Sequence, residues 1–114
     1  MTIKIVTDPI TKADLTEIAK GQFGDLVKAV VDVEREIMAI GGELHADEEA
    51  LLIEQGSRQE NLWGINLYPA KLEEGWIEFN SMINIRPSQD NRSRGVENLQ
   101  MQGKIRDMVN KLVL

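Results

Sequence analysis

The chain has 114 residues, with 13 Lys and Arg against 19 Asp and Glu, so its formal net charge is −6. This length is typical of one domain, and we treat residues 1–114 as a single domain. The hydrophobic fraction of 42% and the charged fraction of 28% exclude wholesale disorder. The absence of cysteine excludes disulfide scaffolds, thiolate zinc sites and cysteine nucleophiles. The acidic balance excludes general nucleic-acid binding, since phosphate neutralisation needs an excess of Lys and Arg on one face.

The sequence also carries no membrane or export signal. No stretch approaches the ~20 apolar residues that a membrane span needs. The first residues, MTIKIVTD, contain no apolar signal core followed by a small-residue cleavage site. We therefore expect a cytoplasmic protein that does not bind membranes.

The first elements in chain order are a strand and a helix. Ile3, Ile5 and Val6 predict a short strand. Thr11, with Asp14 three residues later, resembles a capping box and predicts a helix over residues 12–22. Its buried stripe would be Leu15, Ile18, Ala19 and Phe23.

A strand and an ambiguous segment follow. Apolar residues at every second position predict a strand over residues 26–34 with one well-buried face. Residues 37–40 form the next apolar run, and the pair Gly41-Gly42 ends it. Residues 43–55 fit either a short helix capped by Asp47 or a buried strand, and the pattern does not decide between them.

Residues 61–68 and 76–86 predict two antiparallel strands joined by a polar loop. The alternation puts apolar residues on one face and polar residues on the other, so we expect helices to cover only one side of the sheet. The polar face would carry Asn66, Asn80 and Asn84 beside Gly64. Asparagine is depleted in strands, so this face is either a wet surface, which we favour, or a polar floor for a small ligand.

A last helix is predicted from about Val96 to Val113, with Gly103 as a weak point inside it. The order of strand, helix, several strands and helix indicates an α+β fold. The predicted architecture is a two-layer sandwich, in which the N-terminal and C-terminal helices pack on a mainly antiparallel sheet.

Charge is distributed unevenly along the chain. Residues 32–60 contain nine acidic against two basic residues, whereas residues 86–111 contain six basic against three acidic residues. The polar loop before the last helix contains three of these basic residues, namely Arg86, Arg92 and Arg94. The net charge therefore does not exclude a small anion at this loop.

Glu43, His45 and Asp47 surround the one histidine of the chain. If this segment is extended, the three side chains point the same way. They could then hold a divalent metal, or His45 could act as a general base oriented by a carboxylate. We favour a solvated acidic turn, because a single histidine cannot complete a multi-histidine zinc site within a monomer.

The arginine-rich loop is the second candidate site. Guanidinium groups of Arg86 and Arg92, the hydroxyl of Ser93 and a helix N-terminus could together bind a phosphate or carboxylate. The alternative is that Ser93 or Asn91 caps the helix while the arginines pair with the acidic segment. No Walker or dinucleotide glycine pattern supports nucleotide binding.

Three sequence blocks, GGELHADEEALLIEQGS, LWGINLYP and INIRPSQDNRS, lie before the terminal helix. Together they resemble a family of small bacterial proteins of unknown function, over most of the chain from about Val27 onward. That family has no established activity, cofactor or catalytic residues, so the resemblance implies none here. Its blocks coincide with the candidate sites, which favours a single site.

We hypothesise that the protein binds a small anionic or polar ligand on an exposed sheet face. The ligand-binding candidates are Arg86, Arg92, Asn66, Asn80, Asn84 and Ser93, with His45 nearby. One alternative is an interaction module, in which the acidic segment of one chain meets the basic segment of another copy or of a different partner. Another is metal-assisted hydrolysis at Glu43, His45 and Asp47. Neither a cofactor nor a reaction follows from the sequence.

Overall fold

A computed structural model describes residues 2–73 and 75–114 of the chain. Within these ranges the strands are β1 (Lys4–Val6), β2 (Val27–Asp32), β3 (Ile37–Ile40), β4 (Leu62–Leu67) and β5 (Ile77–Glu78). They form one antiparallel sheet in the order β1-β3-β2-β4-β5. The helices are α1 (Lys12–Lys20), α2 (His45–Glu54) and α3 (Leu99–Leu112). These elements confirm the predicted α+β class and the mainly antiparallel sheet.

The first and last helices pack on one face of the sheet, as predicted. The capping box at the start of α1 is present, since Thr11 Oγ1 accepts from the Asp14 amide at 3.1 Å and the Asp14 carboxylate accepts from the Thr11 amide at 3.0 Å. In α3 the N-cap is Asn98, which accepts from the Met101 amide. The core on this side includes Leu15, Ala19, Val27, Ala29, Val31, Ile65, Ile105 and Val109. Phe23, predicted to be buried, lies beyond α1 and is 42% exposed.

The expectation that helices cover only one side of the sheet is wrong. Within residues 43–55, His45–Glu54 form α2, which packs on the opposite face, and its Leu52 is fully buried there beside Val30. A third residue on this side, Leu62, completes the contact with β4. Almost every residue of β2 is therefore buried, rather than one face of it. Alternating polarity failed as a guide because α2 covers the apolar residues Val30, Ala39 and Leu62 on this face.

The second strand of the predicted hairpin is much shorter than residues 76–86. After β5 the chain leaves the sheet, because the Ser81 amide donates to the Arg94 carbonyl at 2.9 Å. A 3₁₀ turn follows over Met82–Asn84, where Ser81 Oγ accepts from the Ile83 amide. Trp76, the first residue of the predicted strand, is buried in the core on the α1 and α3 side. No helix of the described residues is long and apolar enough to cross a lipid bilayer.

Candidate anion-binding site

A cavity of about 190 Å³ opens between the N-terminus of α2 and the segment that follows β5. Leu44 is the N-cap of α2, and its side chain offers no hydrogen bond to the helix. The positive end of the helix dipole therefore faces the cavity without a side-chain acceptor from the cap. The lining residues are Lys28, Leu44, His45, Ala46, Ser81, Met82, Ile83 and Arg94.

His45 begins α2 and is fixed by the neighbouring strand. Its Nε2 lies 2.8 Å from the carbonyl oxygen of Ile65 in β4. A carbonyl can only accept, so Nε2 carries a proton, and Nδ1 holds the lone pair when the ring is neutral. Burial lowers the pKa of His45, and the positive charges of Lys28 and Arg94 lower it further, while the Ile65 carbonyl opposes these effects. The ring is therefore neutral at pH 7.

Lys28 and Arg94 place two positive charges at the cavity. Lys28 lies on β2 opposite Asn66 of β4, and its Nζ lies 5.0 Å from the centre of the Phe23 ring. The side chain of Arg94 is oriented by Asn80, because Nε donates to Asn80 Oδ1 at 2.8 Å. Since both cations affect the pKa of His45, they act on the same small region.

Asn66 lies beside this group and is only 8% exposed. Its amide nitrogen donates to the Glu78 carboxylate at 2.8 Å and to the Asn80 carbonyl at 3.3 Å. Its Oδ1 is buried and has no hydrogen-bond partner. The Asn66 side chain also favours the protonated form of His45. Asn66 therefore interacts with the His45 ring of the chain itself.

The structure thus brings together only part of the predicted set. His45 lines the cavity, and Asn66 and Asn80 lie close to it without lining the cavity themselves. Asn84 and Arg86 are used elsewhere, and Arg92 and Ser93 do not line the cavity.

The side chain of Asn84 bonds to backbone groups of β4 that a neighbouring strand would otherwise pair with. Its Oδ1 accepts from the Gly64 amide at 2.8 Å, and its Nδ2 donates to the Gly64 carbonyl at 2.9 Å. The same Nδ2 donates to the Arg94 carbonyl. Gly64 is required here because a Cβ atom at this position would lie 2.5 Å from Ser81 Cβ. Asn84, fully buried, is therefore a structural residue rather than a ligand-binding one.

Arg86 is also held by the protein itself. Its guanidinium donates to the Gln59 and Leu62 carbonyls and stacks on the Trp63 ring, 4.3 Å from its centre. Burial lowers its pKa, while the charge of Glu49 opposes this effect. The loop after Arg86 is organised internally too.

Asn91 and Glu97 organise the arginine-rich loop. Asn91, 3% exposed, donates from Nδ2 to the carbonyls of Asn84 and Gly95 and accepts from the Glu97 amide. The Glu97 carboxylate accepts from the amides of Arg92 and Ser93. A hydrogen bond with the Ser93 side chain lowers the pKa of Glu97 most, and the two amides lower it further. A carboxylate of the chain thus occupies two backbone amides of this loop.

Glu43, His45 and Asp47 do not form one cluster. Glu43 precedes α2, and His45 and Asp47 lie in its first turn, where residues two apart are about 200° apart around the axis. Glu43 and Asp47 line a separate concavity with Ile3 and Gly42. Within the described ranges no group of three His, Cys, Asp or Glu residues could hold a metal ion. The helical conformation of this segment is the reason the extended trio was not found.

Glu48 is a buried acid that the sequence did not single out. It is fully buried under the start of α2, and one carboxyl oxygen accepts from the Gly42 amide at 2.9 Å. The other oxygen, Oε1, has no partner. Burial raises the pKa of Glu48 to about 9, although the Gly42 amide and Lys28 oppose this change. The side chain is therefore a neutral acid at pH 7.

Lys28 and Ser81 were missed by sequence reasoning, and Arg94 was assigned only to the basic loop. The available signal was Lys28, the one basic residue within β2, VKAVVD. A lysine within a strand that is buried on both sides needs a water-filled or polar neighbour, and here that neighbour is the cavity.

Two ion pairs within the chain involve the acidic and basic segments. Lys111 Nζ in the basic segment lies 3.3 Å from the Glu36 carboxylate in the acidic segment, and both side chains are exposed. A second pair, Arg58 and Glu60, lies inside the acidic segment. Exposed pairs contribute little to stability, so they do not determine whether the segments also meet another chain.

The fold and cavity define a small α+β domain with a basic, partly apolar recess in an acidic chain. The chain belongs to the family DUF5674, described as a protein of unknown function, which matches residues 4–112. This match confirms the resemblance to a family without an established activity. Neither the curated proteins nor the solved structures gave a match.

Proposed function

We propose that this protein binds a small anionic ligand in the cavity at the N-terminus of α2. The observation that carries the proposal is the presence of Lys28, Arg94 and His45 around one small cavity in a chain of net charge −6. Two cations and a helix N-terminus are a favourable environment for a carboxylate or phosphate group. The ligand-binding residues proposed here replace Arg86, Arg92, Asn84 and Ser93 of the sequence-based hypothesis.

The neutral His45 supports a binding role and is also able to act as a base. Its Nδ1 can accept a proton from a bound molecule, because the Ile65 carbonyl fixes Nε2 as the protonated nitrogen. Among the described residues, no carboxylate is within hydrogen-bond distance of this ring to orient it as a base. We therefore propose binding rather than a reaction, in a protein of cytoplasmic location.

The proposal is tested by titrating the protein with sodium acetate and with inorganic phosphate. Amide and histidine NMR signals are followed in the wild type and in Lys28→Gln and Arg94→Gln. We expect saturable shifts at Leu44, His45 and Ala46, and at least fivefold weaker binding in either variant, because each removes one of the two charges.

Arg92→Gln is the matched control. Arg92 is exposed, belongs to the same loop as Arg94 and does not line the cavity. Its substitution changes the net charge equally, so it should leave the affinity within twofold of the wild type. Equal loss of binding in Arg92→Gln, or shifts that do not saturate, would refute a defined site.

A further inference from the structure

A titratable ring lines the cavity together with its two cations. His45 is the single histidine of the chain, and Lys28 and Arg94 line the same cavity. Its Nε2 donates to the Ile65 carbonyl at 2.8 Å, so a second proton can be added only at Nδ1. The ring can therefore gain a positive charge at the cavity without losing the bond that holds it.

The elements packed around His45 act on its charge in opposite directions. Burial opposes protonation most, and the positive charges of Lys28 on β2 and Arg94 in the segment before α3 add to this effect. β4 acts the other way, because hydrogen bonds of the Ile65 carbonyl and of the Asn66 side chain favour the protonated ring. The neutral state of the ring is thus maintained in part by two charges that an anion can neutralise.

The carboxyl groups on the neighbouring elements are engaged with other groups; they are Glu78 of β5 and Asp47, Glu48 and Glu49 of α2. Glu78 is bonded to Asn66, and Glu48 accepts from the backbone amide of Gly42. Asp47 lines a separate concavity, and Glu49 acts on Arg86, which does not line the cavity. The turn over Met82–Asn84 carries no titratable side chain. Lys28 and Arg94 are therefore the charged groups that oppose protonation of the ring.

An anion at Lys28 and Arg94 would shift this balance toward the protonated ring. Its negative charge offsets both cations and favours a positive charge nearby, while the Ile65 and Asn66 hydrogen bonds remain. Coupling between two binding events is reciprocal. The factor by which the anion strengthens proton binding at His45 is therefore the factor by which the proton strengthens anion binding.

We propose that the cavity takes up its anion together with a proton on His45, so that it binds anions more tightly in acidic than in alkaline solution. This inference rests on the proposed function and adds its regulation by pH. The affinity should rise as the pH falls through the pKa of His45 in the occupied protein. It should level off once the ring of the free protein is protonated too.

Sulfate is the probe for the test, because its charge does not change between pH 5 and pH 8. Isothermal titration calorimetry on the full chain should show at least fivefold tighter binding at about pH 5 than at about pH 8, as expected for the usual coupling between two sites. Titrations near pH 6 in two buffers with different heats of ionisation measure the protons taken up. We expect a net uptake of a fraction of one proton per sulfate.

Two variants assign the pH dependence to one side chain. His45→Gln should bind sulfate with an affinity that varies less than twofold between the two pH values, and without proton uptake. Glu48→Gln is the matched control, because Glu48 lies on the same helix and keeps its proton up to about pH 9. It should retain the fivefold difference. The general gain of positive charge in acid is common to all these proteins, so it cannot produce a difference between them.

The ring signals of His45 test the inference in the wild type, without a variant. Their NMR titration midpoint should move upward in saturating sulfate, and an unchanged or lower midpoint would overturn the inference. Equal affinities at both pH values, or a pH dependence that persists in His45→Gln, would also overturn it and leave anion binding intact. If sulfate binds at neither pH, the proposed function is wrong as well.

Discussion

Asn84→Ala is the substitution for which the structure gives the most definite consequence. The side chain is fully buried and makes three hydrogen bonds, two with Gly64 and one with the Arg94 carbonyl. A hydrogen bond contributes about 0.5–1.5 kcal/mol net, so three of them give a loss of about 3 kcal/mol in the free energy of unfolding. The loss will exceed this value if water cannot reach the Gly64 groups left without partners.

Urea unfolding monitored by tryptophan fluorescence measures this change. Trp63 and Trp76 are both buried, so their emission reports the loss of the core. The urea midpoint should fall while the slope of the transition stays the same. Asn80→Ala is the control, because Asn80 accepts one bond from the exposed Arg94 side chain, and its loss should cost less than about 1 kcal/mol. Equal stability of the two variants would refute the structural role of Asn84.

Three further predictions concern the same face of the sheet. Gly64→Ala should lower the free energy of unfolding by about 1–3 kcal/mol, because the new Cβ would meet Ser81 Cβ at 2.5 Å. In urea unfolding, adding Ser81→Gly to Gly64→Ala should partly restore stability. Adding Ser81→Ala, which keeps the Cβ, should not. Glu48→Gln should raise the free energy of unfolding at pH 7 by more than about 1.4 kcal/mol, the equivalent of one pKa unit. The folded state keeps a proton on Glu48 up to about pH 9, whereas the unfolded state loses it near pH 4.5. Wild-type stability therefore falls as pH rises between these values. The same fall in Glu48→Gln would contradict the raised pKa of Glu48. The ring signals of His45 should titrate below pH 6.5, and Lys28→Gln should move the midpoint upward; an unchanged midpoint would show that Lys28 does not act on the ring.

The sequence predicted those features that depend on local patterns. The capping box at Thr11 and Asp14 and the strands around Val31 follow from spacing alone, and both are present. The helical state of residues 43–55 could not be decided, because Leu51-Leu52-Ile53 fits a buried strand as well as a helix. Only the packing of Leu52 on the far face of the sheet selects the helix.

The candidate site was predicted in part for a different reason. Polar residues such as Asn66 and Asn84 look alike in a sequence, yet one keeps a free acceptor while the other has every bond satisfied by the chain. That distinction depends on contacts about 20 residues apart, which no local pattern encodes. Lys28 was missed because a β-strand pattern describes only which face a residue occupies, and not whether a cavity lies above it.

The hydrogen bonds of Asn84 have a further consequence for how the molecule behaves among its own copies. A strand with unpaired amide and carbonyl groups can recruit a strand from another molecule, and this is how many sheets begin to aggregate. At Gly64 the carboxamide of Asn84 occupies both groups, and at Leu62 the guanidinium of Arg86 occupies the carbonyl. One asparagine and one arginine thus protect against intermolecular strand pairing where β5 is too short to do so.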